Sequence, residues 1–310
     1  MPIRSKYSQM IKAEALRLGF SSVGIAKAEY LETDASHLTQ WLENGFQGEM
    51  HYMENHFDKR LDPTLLVDGA KSVVVVTHNY FPENLLDSDG YKIARYAYGE
   101  DYHFVLKDKL QQLLQYIKEQ ISPTHARIFT DSAPVLERAW AVKAGLGWQG
   151  KNTLLIQKGK GSYFFLAELI LDLELVYDVP FTTDHCGTCT RCIDACPTQA
   201  ILPNKILDAR NCISYLTIES KSEIPETFQN QWKDWIFGCD ICQEVCPWNH
   251  FALPHNEPKF QPVPGLMDLS RRNWEEITAD IFEKIFENSP LKRTKWEGIK
   301  RNVSFIQGKT

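Results

Sequence analysis

Eight cysteines lie between Cys186 and Cys246, and the 185 residues before them contain none. Thiolates are soft metal ligands, so clustering of this kind in a reducing compartment points to metal rather than to disulfides. Cys186, Cys189, Cys192 and Cys196 are separated by two, two and three residues, and Pro197 follows. That is the ligand run of bacterial two-cluster ferredoxins, in which three close thiolates hold one iron–sulfur cube and the fourth reaches the neighbouring cube. Cys239, Cys242 and Cys246, followed by Pro247, form a second run with one ligand missing, and Cys212 is the thiol left over. The count closes as two 4Fe-4S clusters, Cys186, Cys189, Cys192 and Cys246 on one and Cys196, Cys212, Cys239 and Cys242 on the other. A pair of structural zinc sites is the alternative, and such sites rarely carry this run.

Two clusters at this spacing form an electron wire, and a wire needs a terminus in the cysteine-free part of the chain. Gly145 to Gly150 read GLGWQG and Lys151 follows, which matches a dinucleotide fingerprint literally and a P-loop nearly. Both readings fail on context. The fingerprint follows a strand and opens a helix, whereas here the helix precedes and the strand TLLIQ follows. Asn152 also stands where a P-loop needs Ser or Thr. Asp131 sits at the end of the strand-like ARIFT. It reads either as a ligand-facing residue at a strand end or, with Ser132 before Pro134, as a helix N-cap. Tyr102 and His103 open a long helix, as substrate-facing groups or as ordinary surface and capping residues. The basic end, with Lys292, Arg293, Lys295, Lys300 and Arg301, is either a solvated face or a grip on phosphates.

The elements that must position these residues alternate between helix and strand up to about residue 178. Ala13, Leu16 and Leu18 suggest an amphipathic first helix, followed by a strand at SSVGIA. The β-branched run Val73 to Val76 predicts a buried strand. Leu106, Leu110, Leu113, Leu114, Ile117 and Ile121 form one stripe and predict a helix over 101–121. ARIFT is a strand, and APVLERAWAVKAG a helix ending at Gly145. TLLIQ and SYFFLAELILDLEL read as strands paired around KGKG. From Val179–Pro180 to Trp248 the chain is cysteine-rich with weak strand signals. The remainder is proline-rich, then helical and basic.

Composition narrows the classes further. With 12% aromatic residues the chain can build a core, and a formal charge of -6 disfavours a globally basic nucleic-acid binder while allowing a local patch. The apolar stretch Tyr163 to Tyr177 is interrupted by Glu168, Asp172 and Glu174 and does not read as a membrane span. The N-terminal residues lack the apolar core of a signal peptide, so a cytoplasmic, membrane-free protein is expected.

The segments KRLDPTLLVDGAKSVV, ARYAYGEDYH, TDSAPVLERAWAVKAGLGWQGKNT, CGTCTRCIDACPTQAI, CISYLTIES and FGCDICQEVCPWN, in this order, resemble the epoxyqueuosine reductase family over nearly the whole chain. That family acts last in queuosine synthesis in tRNA and is related to the corrinoid iron–sulfur reductive dehalogenases. The resemblance implies an α/β, nitroreductase-like cobalamin-binding domain over 1–178. It implies a bacterial ferredoxin-like domain with two 4Fe-4S clusters over 179–250 and a short, partly helical, basic extension over 251–310. It implies reduction of epoxyqueuosine at the wobble position of tRNA with a GUN anticodon. Cobalamin would be fed by the second cluster, and a low-potential donor would feed the clusters. Asp131 maps to the family's proton donor. Arg60, Arg138, Lys151, Asn152 and Ser214 fall in segments that line the corrinoid. Ala94 stands where some members place a cysteine over the corrinoid face. Tyr102 and His103 would face substrate. Longer members continue into helical repeats, so Lys292 to Arg301 would carry more of the tRNA contact in a chain expected to be monomeric. The sequence lacks D-x-H-x-x-G, since Leu106 stands where Asp101 and His103 would need a glycine, so no histidine is expected beneath the cobalt. Two rivals are a reductive dehalogenase, which would usually carry a twin-arginine signal, and a non-catalytic ferredoxin-type carrier, which would leave the first domain without a task.

Anaerobic reconstitution should load about eight irons per chain, as two cubanes require. One or two zinc ions per chain, with no iron and no charge-transfer absorption, is the outcome that excludes the clusters.

Overall fold

The computed structural model describes residues 2–87 and 89–309. Four strands form its main sheet: β1 (Ser22–Lys27), β2 (Ser72–Asn79), β3 (Ala126–Phe129) and β4 (Phe164–Leu171). Their order is β1-β2-β4-β3, and every neighbouring pair is antiparallel. The Val73 to Val76 run lies fully buried in β2, as its β-branched side chains suit a strand covered on both faces.

Helices cover both faces. α1 (Ile3–Arg17) and α2 (Tyr102–Gln120) share one core with β4, where Ile11, Leu110, Leu113, Ala167 and Leu169 meet. α3 (Glu137–Lys143) lies on the other face, with Val73, Val75, Phe129, Trp140 and Ile170. The α2 stripe is buried from Val105 to Ile117, and Asp101 caps the helix by accepting the His103 N–H at 3.0 Å.

Three expectations are corrected. In α1 the buried face is Ser8, Ile11 and Ala15, which recur at helical spacing. Leu16 is exposed on the opposite side, and Leu18 follows the helix. TLLIQ does not pair with the strand after KGKG. Leu155–Ile156 pairs with Trp148–Gln149, β4 pairs with β2 and β3, and a lone bridge joins Gln157 to Gly161. α3 begins at Glu137, not near Pro134, and Leu136 stands at its N-cap without a side-chain bond. Asp131 and Ser132 therefore do not cap it.

The cysteine-rich segment contributes short pieces. Each cysteine run carries one helical turn, Arg191–Asp194 and Ile241–Glu244. α4 (Ile213–Ile218) follows Cys212, and the strand Trp235–Phe237 pairs in parallel with Lys92–Ile93 from the first domain. α5 (Lys295–Ile306) packs over both, burying Ile299, Val303 and Phe305. Among the described residues no helix is long and apolar enough to cross a membrane.

Asn302 is the point where α5 is fixed. It is fully buried, and its Nδ2 donates to the Thr217 and Ile236 carbonyls at 2.9 Å each. Asn302→Leu keeps the volume and orphans the Ile236 carbonyl, while the Thr217 carbonyl keeps the Thr294 hydroxyl at 2.9 Å, so unfolding stability should fall by about 1–3 kcal/mol. Chemical denaturation of the reconstituted protein measures it. Unchanged stability would show that α5 is not held there.

Candidate functional site

The eight cysteines are unpaired and gather in two sets. Cys192 interacts electrostatically with Cys186 and Cys246, and Cys246 with Cys186 and Cys189. Cys239 interacts with Cys212 and Cys242, and Cys212 with Cys196. Cys242 meets Cys212 and Cys196 and also Cys192 of the other set, so the two sets adjoin. Among the described residues no three His, Cys, Asp or Glu side chains converge as ligands of one mononuclear ion do. A cubane spreads its four thiolates over four corners. Burial pushes the Cys239 and Cys242 thiols well above their ordinary range. Such thiols ionise against the positive charge of iron, so the donor chemistry of this set fits a cluster.

The glycine-rich GLGWQG packs against this region. Gly145 closes α3 with φ +74°. A Cβ at Gly147 would stand 2.1 Å from the Ile156 carbonyl oxygen, so glycine lets the Trp148–Gln149 and Leu155–Ile156 strands close. Beyond that turn Lys151 Nζ donates to the Gly187 and Cys189 carbonyls at 2.8 and 2.9 Å, and Asn152 Nδ2 to the Cys242 carbonyl at 3.4 Å. Trp148 packs beside Cys186 and Cys246.

A cavity of about 840 Å³ opens between the sheet domain, the cysteine-rich segment and the C-terminal part. Met50, Tyr52, Tyr96 and Ile218 give it largely apolar walls, while Cys212 and Ser214 reach it from one side and Asp131, Tyr102 and His103 from another. The size and the mixture of apolar wall with many charged and polar groups suit a large ligand that carries polar edges. Asp131 leaves β3 in the left-handed region, φ 51°. Its side chain is 59% exposed, open to the cavity. The surrounding wall still desolvates it and pushes its carboxyl up, but hydrogen bonds from His103 and Tyr102 prevail and hold it below the usual carboxylate range.

Tyr102 donates its hydroxyl to Asp131 Oδ2 and stacks on Phe165 at 4.2 Å between ring centroids. His103 Nε2 lies 3.5 Å from the same Asp131 oxygen, while its Nδ1 is 2.7 Å from Asp101 Oδ1. Burial opposes a charge on His103, but the two carboxylates outweigh it and push its pKa up to about 9. At neutral pH the proton of this group therefore rests on His103, and Asp131 is ionised.

The residues singled out in the sequence divide by place. Asp131, Tyr102, His103, Ser214, Lys292 and Arg293 line the cavity. Arg293 also forms a two-point pair with Glu219 at 2.7 and 2.9 Å. Buried Arg60 donates to the Tyr52 and Asn55 carbonyls, and Arg138 to the Thr153 carbonyl at 2.8 Å. Ala94 is buried, its N–H on the Phe237 carbonyl. Lys300 donates to the Glu275 carbonyl and Arg301 to the Leu216 and Ser220 carbonyls, so these two tie α5 to its neighbours. Lys295 starts α5 in the left-handed region, exposed and outside the cavity lining. Sequence reasoning missed Glu137 and Glu168. Glu137 Oε1 accepts the Asp131 N–H at 2.5 Å, and burial, then Asp131, push its carboxyl up to about 8. Glu168 is fully buried in the middle of the sheet. A single acid inside an otherwise apolar strand was the available signal.

Two family models match the chain, "Epoxyqueuosine reductase QueG, DUF1730" over residues 60–132 and "4Fe-4S double cluster binding domain" over residues 185–249. An epoxyqueuosine reductase of Cellulophaga algicola is 58% identical over 99% of this chain and 100% of its own. A solved epoxyqueuosine reductase carrying an epoxyqueuosine-modified tRNA-Tyr stem loop superposes with TM-score 0.90 at 29% identity, over 98% of this chain and 81% of that one. The Bacillus subtilis enzyme, solved with its catalytic aspartate loop swung out of the active site, gives TM-score 0.90 at 28% identity, over 98% and 82%. The likeness runs from end to end, through the sheet domain, the cavity and both cysteine runs, and the chain belongs to the epoxyqueuosine reductase family.

Proposed function

We propose that this chain reduces epoxyqueuosine to queuosine at the wobble position of tRNA with a GUN anticodon, using a cobalamin seated in the cavity and two 4Fe-4S clusters. One observation carries the reading: a single cavity is lined by Cys212 and Ser214 on one side and by Asp131, Tyr102 and His103 on the other. Electrons and protons thus have separate routes to one place. The balance requires both, since an epoxide plus two electrons and two protons gives an alkene and water. The clusters are read as Cys186, Cys189, Cys192 and Cys246 on the outside, and Cys196, Cys212, Cys239 and Cys242 beside the cavity. Exposed residues around Cys186, Cys189 and Cys192 support entry of electrons there from a soluble low-potential donor.

Cobalamin supplies low-potential electrons for breaking a carbon–oxygen bond when bound. Of the corrinoid contacts implied by resemblance, Ser214 and Asp131 line the cavity, while Arg60, Arg138, Lys151 and Asn152 stand outside its lining and hold backbone carbonyls, among them that of the lining residue Tyr52. The chain's own task is to deliver protons to the leaving oxygen. Asp131 is the residue that hands the proton over, His103 holds it at Nε2 until needed, and Asp101 keeps the ring oriented through Nδ1. The swung-out aspartate loop of the related enzyme supports a mobile Asp131 turn of this kind. Lys292 and Arg293, on the cavity rim, are the basic residues best placed for an RNA backbone. The three-part division at 178 and 250, a cytoplasmic location and a monomeric state belong to the same reading.

Asp131→Asn keeps the shape and removes the transferable proton. Single-turnover reduction of an epoxyqueuosine stem loop should fall by about 10²–10⁴-fold, with iron and cobalamin content unchanged. A near wild-type rate would remove Asp131 from the reaction.

The pH dependence follows from His103. Its pKa in the folded protein lies above the free value, so the protonated form persists at neutral pH and is lost as pH rises through about 9. The single-turnover rate should decline across that window, and His103→Gln should lower the plateau and abolish the decline. An identical alkaline limb in His103→Gln would assign it to another group.

A further inference from the structure

We propose that Glu137, backed by Glu168, is the latch that positions Asp131 in the cavity. This rests on Asp131 being the proton donor, but the latch is itself observable without turnover. Asp131 occupies a backbone region that non-glycine residues rarely adopt, inside a turn where the Ser132 N–H reaches the Thr130 carbonyl and the Ala133 N–H the Asp131 carbonyl. A bend of this kind persists when something outside it fixes it. The Asp131 N–H has one side-chain partner, Glu137 Oε1 at 2.5 Å, and Glu137 is the first residue of α3. The turn is thus fastened to a helix rather than to another loop.

Glu168 supplies the backing. It sits opposite Phe129 on one side and Val75 on the other, one residue before the chain leaves β3 for Thr130 and Asp131. Alternation along β4 sends Phe165, Ala167 and Leu169 toward α2 and so turns Glu168 toward α3. The residues on that face are Val75, Phe129, Val135 and Trp140. No amide, hydroxyl or basic side chain reaches either Glu168 oxygen, and the groups that act on it after burial are the Glu137 carboxyl, which shares a hydrogen bond with it, and Asp131. A carboxyl group in apolar surroundings is costly, and a leucine would fill the space without that cost. Two carboxyls this buried cannot both ionise. Burial pushes Glu137 up to about 8 and Glu168 well above the ordinary range, so at neutral pH the pair keeps its protons. A neutral Glu137 grips the Asp131 amide without setting another negative charge beside the Asp131 carboxylate. The other charged groups that face Glu137 are Arg138 of its own helix and His103 of α2.

The test uses reconstituted holoenzyme, with hydrogen exchange at the Asp131 amide beside single-turnover reduction of the stem loop. Glu137→Ala should speed exchange by about five- to tenfold, the worth of one net hydrogen bond. It should slow turnover while leaving stem-loop affinity unchanged. Glu137→Gln retains the accepting carbonyl and should restore both. Glu168→Leu should raise the melting temperature, yet speed Asp131 exchange and slow turnover. A stability gain joined to a loss of rate is a pattern that a merely structural residue does not give. Wild-type exchange in Glu137→Ala overturns the latch, and wild-type exchange in Glu168→Leu overturns its backing. If exchange responds as expected while Asp131→Asn keeps full activity, the latch stands and the proton-donor reading fails.

Discussion

A carboxylate set against the wall of a protein needs its charge answered, and the answer to Asp131 organises much of the first domain. Tyr102 and His103 reach it because they are consecutive residues at the start of α2. Where that helix starts depends on Asp101, which caps it and also holds the far nitrogen of His103. How α2 lies depends on its apolar stripe, buried against β4. The Tyr102 ring is further fixed by stacking on Phe165 of that strand. Asp131 comes from the neighbouring strand β3. Pairing of Phe129 with Glu168 therefore sets the acid in register with its donors. A slip of one residue would turn Phe165 toward α3 and Glu168 toward α2 and undo both contacts.

The electron side is held by a different logic. The cysteine-rich segment has short helices and strands around a small core that includes Ile213, Leu216, Trp232 and Trp235, and Ala94 and Phe305 from the rest of the chain complete it. Lys151 and Asn152 fasten carbonyls of both cysteine runs to the glycine-rich turn. Arg95 adds a second tie. Its backbone N–H donates to buried Asp240, between Cys239 and Cys242, and its guanidinium reaches Glu244 and Tyr163. The parallel pairing of Trp235–Phe237 with Lys92–Ile93 and the grip of Asn302 from α5 complete the frame. The cluster region is thus woven into the sheet domain and the C-terminal helix. Cys212 meets the cavity because the segment is clamped from three sides.

Features set by local spacing were legible in the sequence. Cysteine runs encode their own ligand geometry, and the α2 stripe and the valine run of β2 state their periodicities outright. Asp131 was ambiguous, because a cap and a cavity residue look alike until the start of α3 is known, and that start lies six residues on. The basic C-terminal residues read as one charged face. Folding separates them: Lys300 and Arg301 spend their donors on backbone carbonyls, while Lys292 and Arg293 stay at the cavity. GLGWQG matched a phosphate motif because close backbone approach selects glycine in both settings, and here the approaching group is the Ile156 carbonyl. Glu168 served as a mark against a membrane span. Its partnership with Glu137 depends on strand alternation and on the position of α3, neither of which a single apolar run reveals.

The resting charges at the cavity also bear on how a carboxylate can serve as an acid. With Asp131 held low and His103 raised, the site at neutral pH is an ion pair, not a carboxylic acid waiting for substrate. Such a pair titrates as a unit, and its proton belongs to both partners. An open cavity favours the separated charges because water solvates them. When a bound nucleotide displaces that water, the dielectric falls and the neutral arrangement gains, with the proton on the carboxyl and the imidazole uncharged. Asp101 favours the charge on His103, so the loss of water must outweigh both the raised imidazole and the lowered carboxyl before the proton moves. On the proposed reading, substrate entry itself turns Asp131 from base to acid. The donor would then be strong when an oxygen is present to receive the proton, and silent when the cofactor stands alone.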